Sequence, residues 1–192
     1  MVEFYTKSMG VVYKYIKSII PFMNLTTYKQ TSCESCLPVC LLNLGGVEIT
    51  REKELKLLFD GLAGLKDSYA FGVLEAFVRT YNKPVTLYVD NKVFANFLIK
   101  NSQTSLINIV HKPINLEFPT PYIVYLDSQV LGGYIHAPHF VIVEKIVGET
   151  CHIIDPWEGK RRRYSKEKIT EAIKSLKSYL KYCPLVIKFD SS

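Results

Sequence analysis

Apolar positions recur with two different periods along this chain, and the period changes near residue 105. Val11, Val12, Tyr15, Ile16, Ile19 and Ile20 mark one face of a helix that Pro21 ends. Ser35 stands where it can cap a helix from Cys36 to Leu44, closed by Gly45-Gly46. Thr50 opens another, Arg51 to about Phe59, and Val73, Leu74, Phe77, Val78 and Tyr81 stripe a third ahead of Pro84. Val85–Val89 reads as a strand and Lys92–Ile99 as a short helix. From there, alternation predicts strands at Ser105–Val110, Tyr122–Leu126, Phe140–Glu144, Cys151–Ile154 and Arg161–Tyr164. Ser165 can cap a last helix with Ile169, Ala172, Ile173, Leu176 and Leu180 on one side, before a closing strand at Leu185–Phe189. Helices first and a mostly antiparallel sheet afterwards predict an α+β protein.

At 192 residues, with no repeat, low-complexity tract or linker, the chain reads as one folded domain over residues 25–192. Residues 1–24 precede it as an amphipathic helical extension. Lys14 and Lys17 lie off the apolar stripe, so residues 11–20 could make a peripheral membrane contact or pack on their own domain. No apolar run approaches the ~20 residues that span a bilayer. The first segment lacks the cleavage site of a secretory signal, which predicts a cytoplasmic location. Five cysteines, an odd number in a chain of this length, suit reduced thiols rather than a disulfide framework. The formal charge of +6 comes partly from Lys160-Arg161-Arg162-Arg163. Without an accompanying aromatic pattern, that run reads as an exposed strand and not as a nucleic-acid surface.

Candidate chemistry centres on four residues. Cys36 falls at a predicted helix start, where unpaired N–H groups and the helix dipole favour a thiolate. Gln30, in the extended approach before it, could join the Cys36 backbone N–H in holding a carbonyl oxygen that turns negative. His139 and Asp155 lie at the same end of a predicted hairpin turning near Val147-Gly148-Glu149. A loop centred on Val147 makes them cross-strand partners; one centred on Gly148-Glu149 sets Asp155 against Ile142, and the pair then needs a bulge or twist to meet. His136 and His111 are competing bases, His136 in a loop where substrate contacts are plausible and His111 at a strand end. Cys33 and Cys36 form a Cys-x-x-Cys with Cys40 following, a candidate thiolate metal or redox site. No second Cys/His pair at finger-like spacing completes it, so no metal or cofactor is expected. Cys40, Cys151 and Cys183 read as core residues.

With these residues in place, the chain resembles the bacteriocin-processing, double-glycine-leader cysteine peptidases of the papain-like superfamily. The resemblance rests on Tyr28-Lys29-Gln30, Cys36-Leu37-Pro38-Val39, His139-Phe140-Val141-Ile142 and Asp155-Pro156, with Pro121–Asp127 similar to the strand before the histidine. It covers about Tyr28 to Tyr164. It implies a papain-like fold and a peptide or polypeptide substrate. It also implies Cys36 as nucleophile, Gln30 as oxyanion donor, His139 as base and Asp155 as its orienter. The chain departs from the family at Leu37, where glycine is usual, and at Ser35, where an acidic residue is common. A non-catalytic papain-like module that binds a peptide is the alternative expectation, followed by a metal-binding cysteine cluster.

Overall fold

The computed structural model describes residues 25–64, 68–133 and 135–190. The expected amphipathic helix of residues 11–20 lies outside them. Three helices come first: α1 (Cys36–Leu44), α2 (Arg51–Ala63) and α3 (Tyr69–Tyr81). They are followed by β1 (Val85–Val89), α4 (Lys92–Asn101), β2 (Ile107–His111), β3 (Tyr122–Asp127), β4 (Pro138–Val147), β5 (Thr150–Asp155), β6 (Lys160–Ser165), α5 (Lys166–Ser178) and β7 (Leu185–Phe189). The seven strands make one sheet in the order β2-β1-β7-β3-β4-β5-β6. Every pairing is antiparallel except β1 with β2, which the α4 crossover forces to run parallel. The α+β expectation holds, with the helices packed against a mostly antiparallel sheet.

Strand alternation divides the core in two. Ile123, Phe140, Ile142, Ile154 and Ile187 pack with Leu37, Leu41, Phe77 and Leu98 of the helices. Val124, Leu126, Val141, Val143 and Ile153 face the other way and bury Ile169, Ala172 and Ile173 of α5. Burying both faces of β3 is why its run Tyr122–Asp127 is apolar throughout apart from its last residue. The basic strand β6 sits at the sheet's edge, exposed as its composition predicted, where charge discourages further strand pairing.

Two of the expected helix caps form as read: Thr50 accepts from Lys53 N and Ser165 from Lys168 N. Ser35 does not cap α1 with its side chain, a correction with a physical cause described below. Helix α2 runs on to Ala63, past the expected end at Phe59. Gly61 lets that last turn lie against Val73 of α3, since a Cβ there would come within 2.5 Å of Val73 Cγ2.

Candidate active site

Strands β4 and β5 turn at Gly148-Glu149, with Val147 opposite Thr150 and Gly148 in the left-handed region at φ +56°. A regular ladder from that turn would set Asp155 against Ile142, on the face opposite His139. The ladder is not regular. Lys145 pairs with His152 but Val143 pairs with Ile153, so Glu144 is an extra residue in β4. Beyond this bulge Ile154 faces Ile142, and alternation puts Asp155 on the face shared by Val141 and His139. The result is a hydrogen bond of 2.8 Å between His139 Nε2 and Asp155 Oδ1, both residues buried. Asp155 Oδ1 also accepts from Trp157 N at 2.9 Å, which fixes the carboxylate.

Because Asp155 takes Nε2, Nδ1 is the ring nitrogen left for other chemistry. Burial by itself lowers the His139 pKa. The hydrogen bond to Asp155, and then the Cys36 sulfur, outweigh it and raise the pKa from 6.5 to about 9. Burial works the other way on Asp155, but His139, the Trp157 N–H and Arg162 hold its carboxyl below the usual carboxylate value. Cys36 thus stands close enough to act on the ring, while the closed hydrogen bond of that ring is the one to Asp155.

Cys36 is the first residue of α1. Burial first, then the Cys36 sulfur, keeps the phenols of Tyr69 and Tyr125 and the thiol of Cys40 around it protonated. Tyr125 stacks on Phe140, ring centroids 4.1 Å apart, and the Tyr69 hydroxyl donates to the Glu34 carbonyl. Cys40 Sγ donates to the Phe140 carbonyl at 3.5 Å, as suits a core thiol. Leu37 is fully buried among the core residues. Cys33 is exposed while Cys36 and Cys40 are buried, and no metal-holding group of three His, Cys, Asp or Glu occurs among the described residues.

Gln30 reaches the site in a different state from the one expected. Its backbone N–H donates to the Pro156 carbonyl at 2.8 Å, tying the approach segment to the β5–β6 turn. Its side-chain Nε2 donates to the carbonyls of Ser32 (2.7 Å) and Cys33 (3.2 Å), and its Oε1 is buried without a partner. The donor is therefore engaged with the loop before Cys36.

Sequence reasoning missed Glu54. This α2 carboxylate is fully buried and accepts from Thr31 N (2.5 Å), the Thr31 hydroxyl (2.7 Å) and the Ser35 hydroxyl. Ser35 Oγ accepts in turn from Ser32 N at 3.1 Å. That engagement is why Ser35 does not cap α1. The available signal was the position of Glu54 on the buried stripe it shares with Leu57, Leu58 and Gly61. The Ser35 hydroxyl, one residue before Cys36, is thus held by a carboxylate from α2.

Neither competing base joins the site. His136 Nδ1 bonds Asp127 Oδ2 at 2.6 Å and its ring lies against Tyr179, centroids 4.0 Å apart. Asp127 is buried and also accepts from Ser175 of α5 at 2.6 Å. His111 ends β2, exposed, at the edge of the sheet.

No family model and no curated protein matches the sequence. Among solved structures, the chain is similar to the peptidase domain of Streptococcus ComA, a bi-functional ABC transporter involved in quorum sensing. That similarity has a TM-score of 0.53 at 15% identity and covers 88% of this chain and 100% of the other. The protein thus has a papain-like peptidase fold, over a longer stretch than the motifs between Tyr28 and Tyr164 mark out.

Proposed function

We propose that this protein is a cysteine peptidase or related acyl-transfer enzyme acting on a peptide bond, with Cys36 as nucleophile, His139 as base and Asp155 as orienter. The observation that carries this reading is the bulge-set pair of His139 and Asp155, with Cys36 acting on the same ring from a helix start. A thiol of ordinary pKa, about 8.5, is mostly protonated at neutral pH, and an adjacent imidazole together with a helix N-terminus answers that need. Nδ1 of His139 takes the Cys36 proton. The thiolate attacks the substrate carbonyl carbon and forms a C–S bond. The C–N bond then breaks as the imidazolium gives its proton to the leaving amine. Water, deprotonated by the same imidazole, or an amine acceptor releases the acyl group.

The oxyanion in this scheme is held by the Cys36 backbone N–H and by Gln30. Its 3.2 Å bond to the Cys33 carbonyl is the weaker of its two, and a substrate oxyanion competes for that donor. Residues of the reacting peptide are the only partners this reading requires.

Iodoacetamide labelling tests it. Cys36 should react faster than Cys33 or Cys40 even though Cys33 is the exposed thiol, and His139→Ala should slow Cys36 alone. Equal, histidine-independent rates at the three thiols would remove the catalytic reading and leave a peptide-binding module of the same fold. Tight peptide binding unchanged by Cys36→Ala, with no turnover by the wild type, would point the same way.

A further inference from the structure

A cleft of about 330 Å³ opens beside the candidate site, between the approach segment and the β5–β6 turn. Lys29, Gln30 and Cys33 line one wall; Trp157, Glu158 and Lys160 line the other. The volume is at the lower end of ligand pockets, about 300 Å³ and upward. Its walls are fixed to each other. Gln30 N bonds the Pro156 carbonyl, and Gly159, at φ +65°, lies so close to the approach segment that a Cβ would stand 2.6 Å from Lys29 N.

Two properties of this cleft define its ligand. The first is position. Trp157 is half-exposed and stands edge-on to the His139 ring, centroids 6.3 Å apart at 87°. A leaving amine must face that ring to receive its proton, so the cleft beyond Trp157 is where the residues that depart with the amine would lie. The second is charge. Glu158 is bound by Arg162 and has Lys160 at 3.8 Å, so its charge is already answered. No carboxylate pairs with Lys29 among the described residues. Two lysines line the cleft against one carboxylate, which Arg162 also binds, so the cleft is left positive beside an aromatic plane.

We infer that this cleft is a subsite for acidic residues on the leaving-amine side of the substrate bond, read by Lys29 and Lys160 and stacked on Trp157. The leaving-side assignment rests on the proposed peptidase reading; the charge preference does not. Cationic walls attract carboxylates as they assemble, and the aromatic face covers the aliphatic part of the side chain.

Trp157 is the chain's sole tryptophan, so its fluorescence reports on this cleft alone. The test titrates the Cys36→Ala full chain with two free-amine peptide amides, Ala-Asp-Glu and Ala-Lys-Arg. The acidic peptide should change Trp157 emission saturably and bind about tenfold tighter than the basic one, with affinity falling as salt is raised. The double variant Lys29→Glu, Lys160→Glu should invert the preference. Equal responses to both peptides, or none to either, would overturn the inference. Should His139-dependent labelling of Cys36 hold while the peptides go undistinguished, the peptidase reading stands and this subsite falls. Charge-selective binding without histidine-dependent labelling keeps an acidic-peptide site and removes the catalysis.

Discussion

His139 and Asp155 meet because β4 holds one residue more than β5 between Val143 and Lys145. Glu144 is that residue, and it accepts from Arg161 of β6 at 3.2 to 3.3 Å. A bulge carries an unpaired residue that sets the pairing beyond it one step away from a regular ladder. Deleting Glu144 removes only that residue, so Lys145–His152 should run on directly to Val143–Ile153, with the Gly148 turn, the later register and the His139–Asp155 hydrogen bond all kept. NMR titration of the His139 ring in the deletion protein should show its pKa still raised to about 9. A pKa falling toward or below 6.5 would mean that the pair depends on the local twist of the bulge and not on register alone.

The same pair fixes a pH window. The His139 pKa is raised on folding, so its contribution to stability is complete below the unfolded value of 6.5 and is lost as pH climbs through about 9. The Asp155 pKa is depressed, so its contribution is present above 3.8 and lost as pH falls through the folded value. Asp155→Asn should accordingly cost most between about pH 4 and 6.5, with the difference from wild type narrowing toward pH 9 and again in acid. Urea unfolding across that range measures it, and a pH-independent difference would mean that the pair is not charged as described.

Reading the chain alone reached the helices, most strands and the order of Cys36, His139 and Asp155, because each rests on local periodicity or spacing. What it left open was non-local. The stretch Phe140–Glu144 reads as a strand, and nothing in it marks Glu144 as unpaired, because a bulge is defined by its partner strand. The parallel β1–β2 pair and the insertion of β7 between β1 and β3 depend on the whole sheet. Gln30 was placed beside Cys36 by spacing, but its donors are taken by Ser32 and Cys33, carbonyls created by the local turn. Glu54 was overlooked because a lone glutamate in a helix usually faces water.

Glu54 organises the loop leading to Cys36 through three donors and has no cation beside it among the described residues. Glu54→Gln presents an amide N–H₂ to at least one donor in a buried place. It should cost about 1–3 kcal/mol of stability. It should also slow iodoacetamide labelling of Cys36 while leaving that of Cys33 unchanged. Glu54→Asp, which keeps the charge on a shorter arm, should recover part of the Cys36 rate. Should both variants label Cys36 at the wild-type rate, the carboxylate would matter to folding alone.

His136 supplies the sharpest contrast with His139, since each imidazole bonds a buried aspartate and only one has Cys36 beside it. Its partner Asp127 ties the β3 end to Ser175 of α5, and Tyr179 covers the ring. This is the geometry of a brace between the sheet end, the β3–β4 loop and the last helix. His136→Ala leaves Asp127 buried with one partner fewer and should cost about 1–3 kcal/mol. Burial opposes ionisation of the Asp127 carboxyl, but the Ser175 and His136 hydrogen bonds hold it below the usual carboxylate value, so the loss should narrow in acid as pH falls through that folded value. Cys36 labelling, corrected for the unfolded fraction, should be unchanged in His136→Ala and reduced in His139→Ala by about a hundredfold or more, the usual weight of a general base. If His136→Ala silenced Cys36 instead, the base would have to be reassigned and Asp127, not Asp155, would be its orienter.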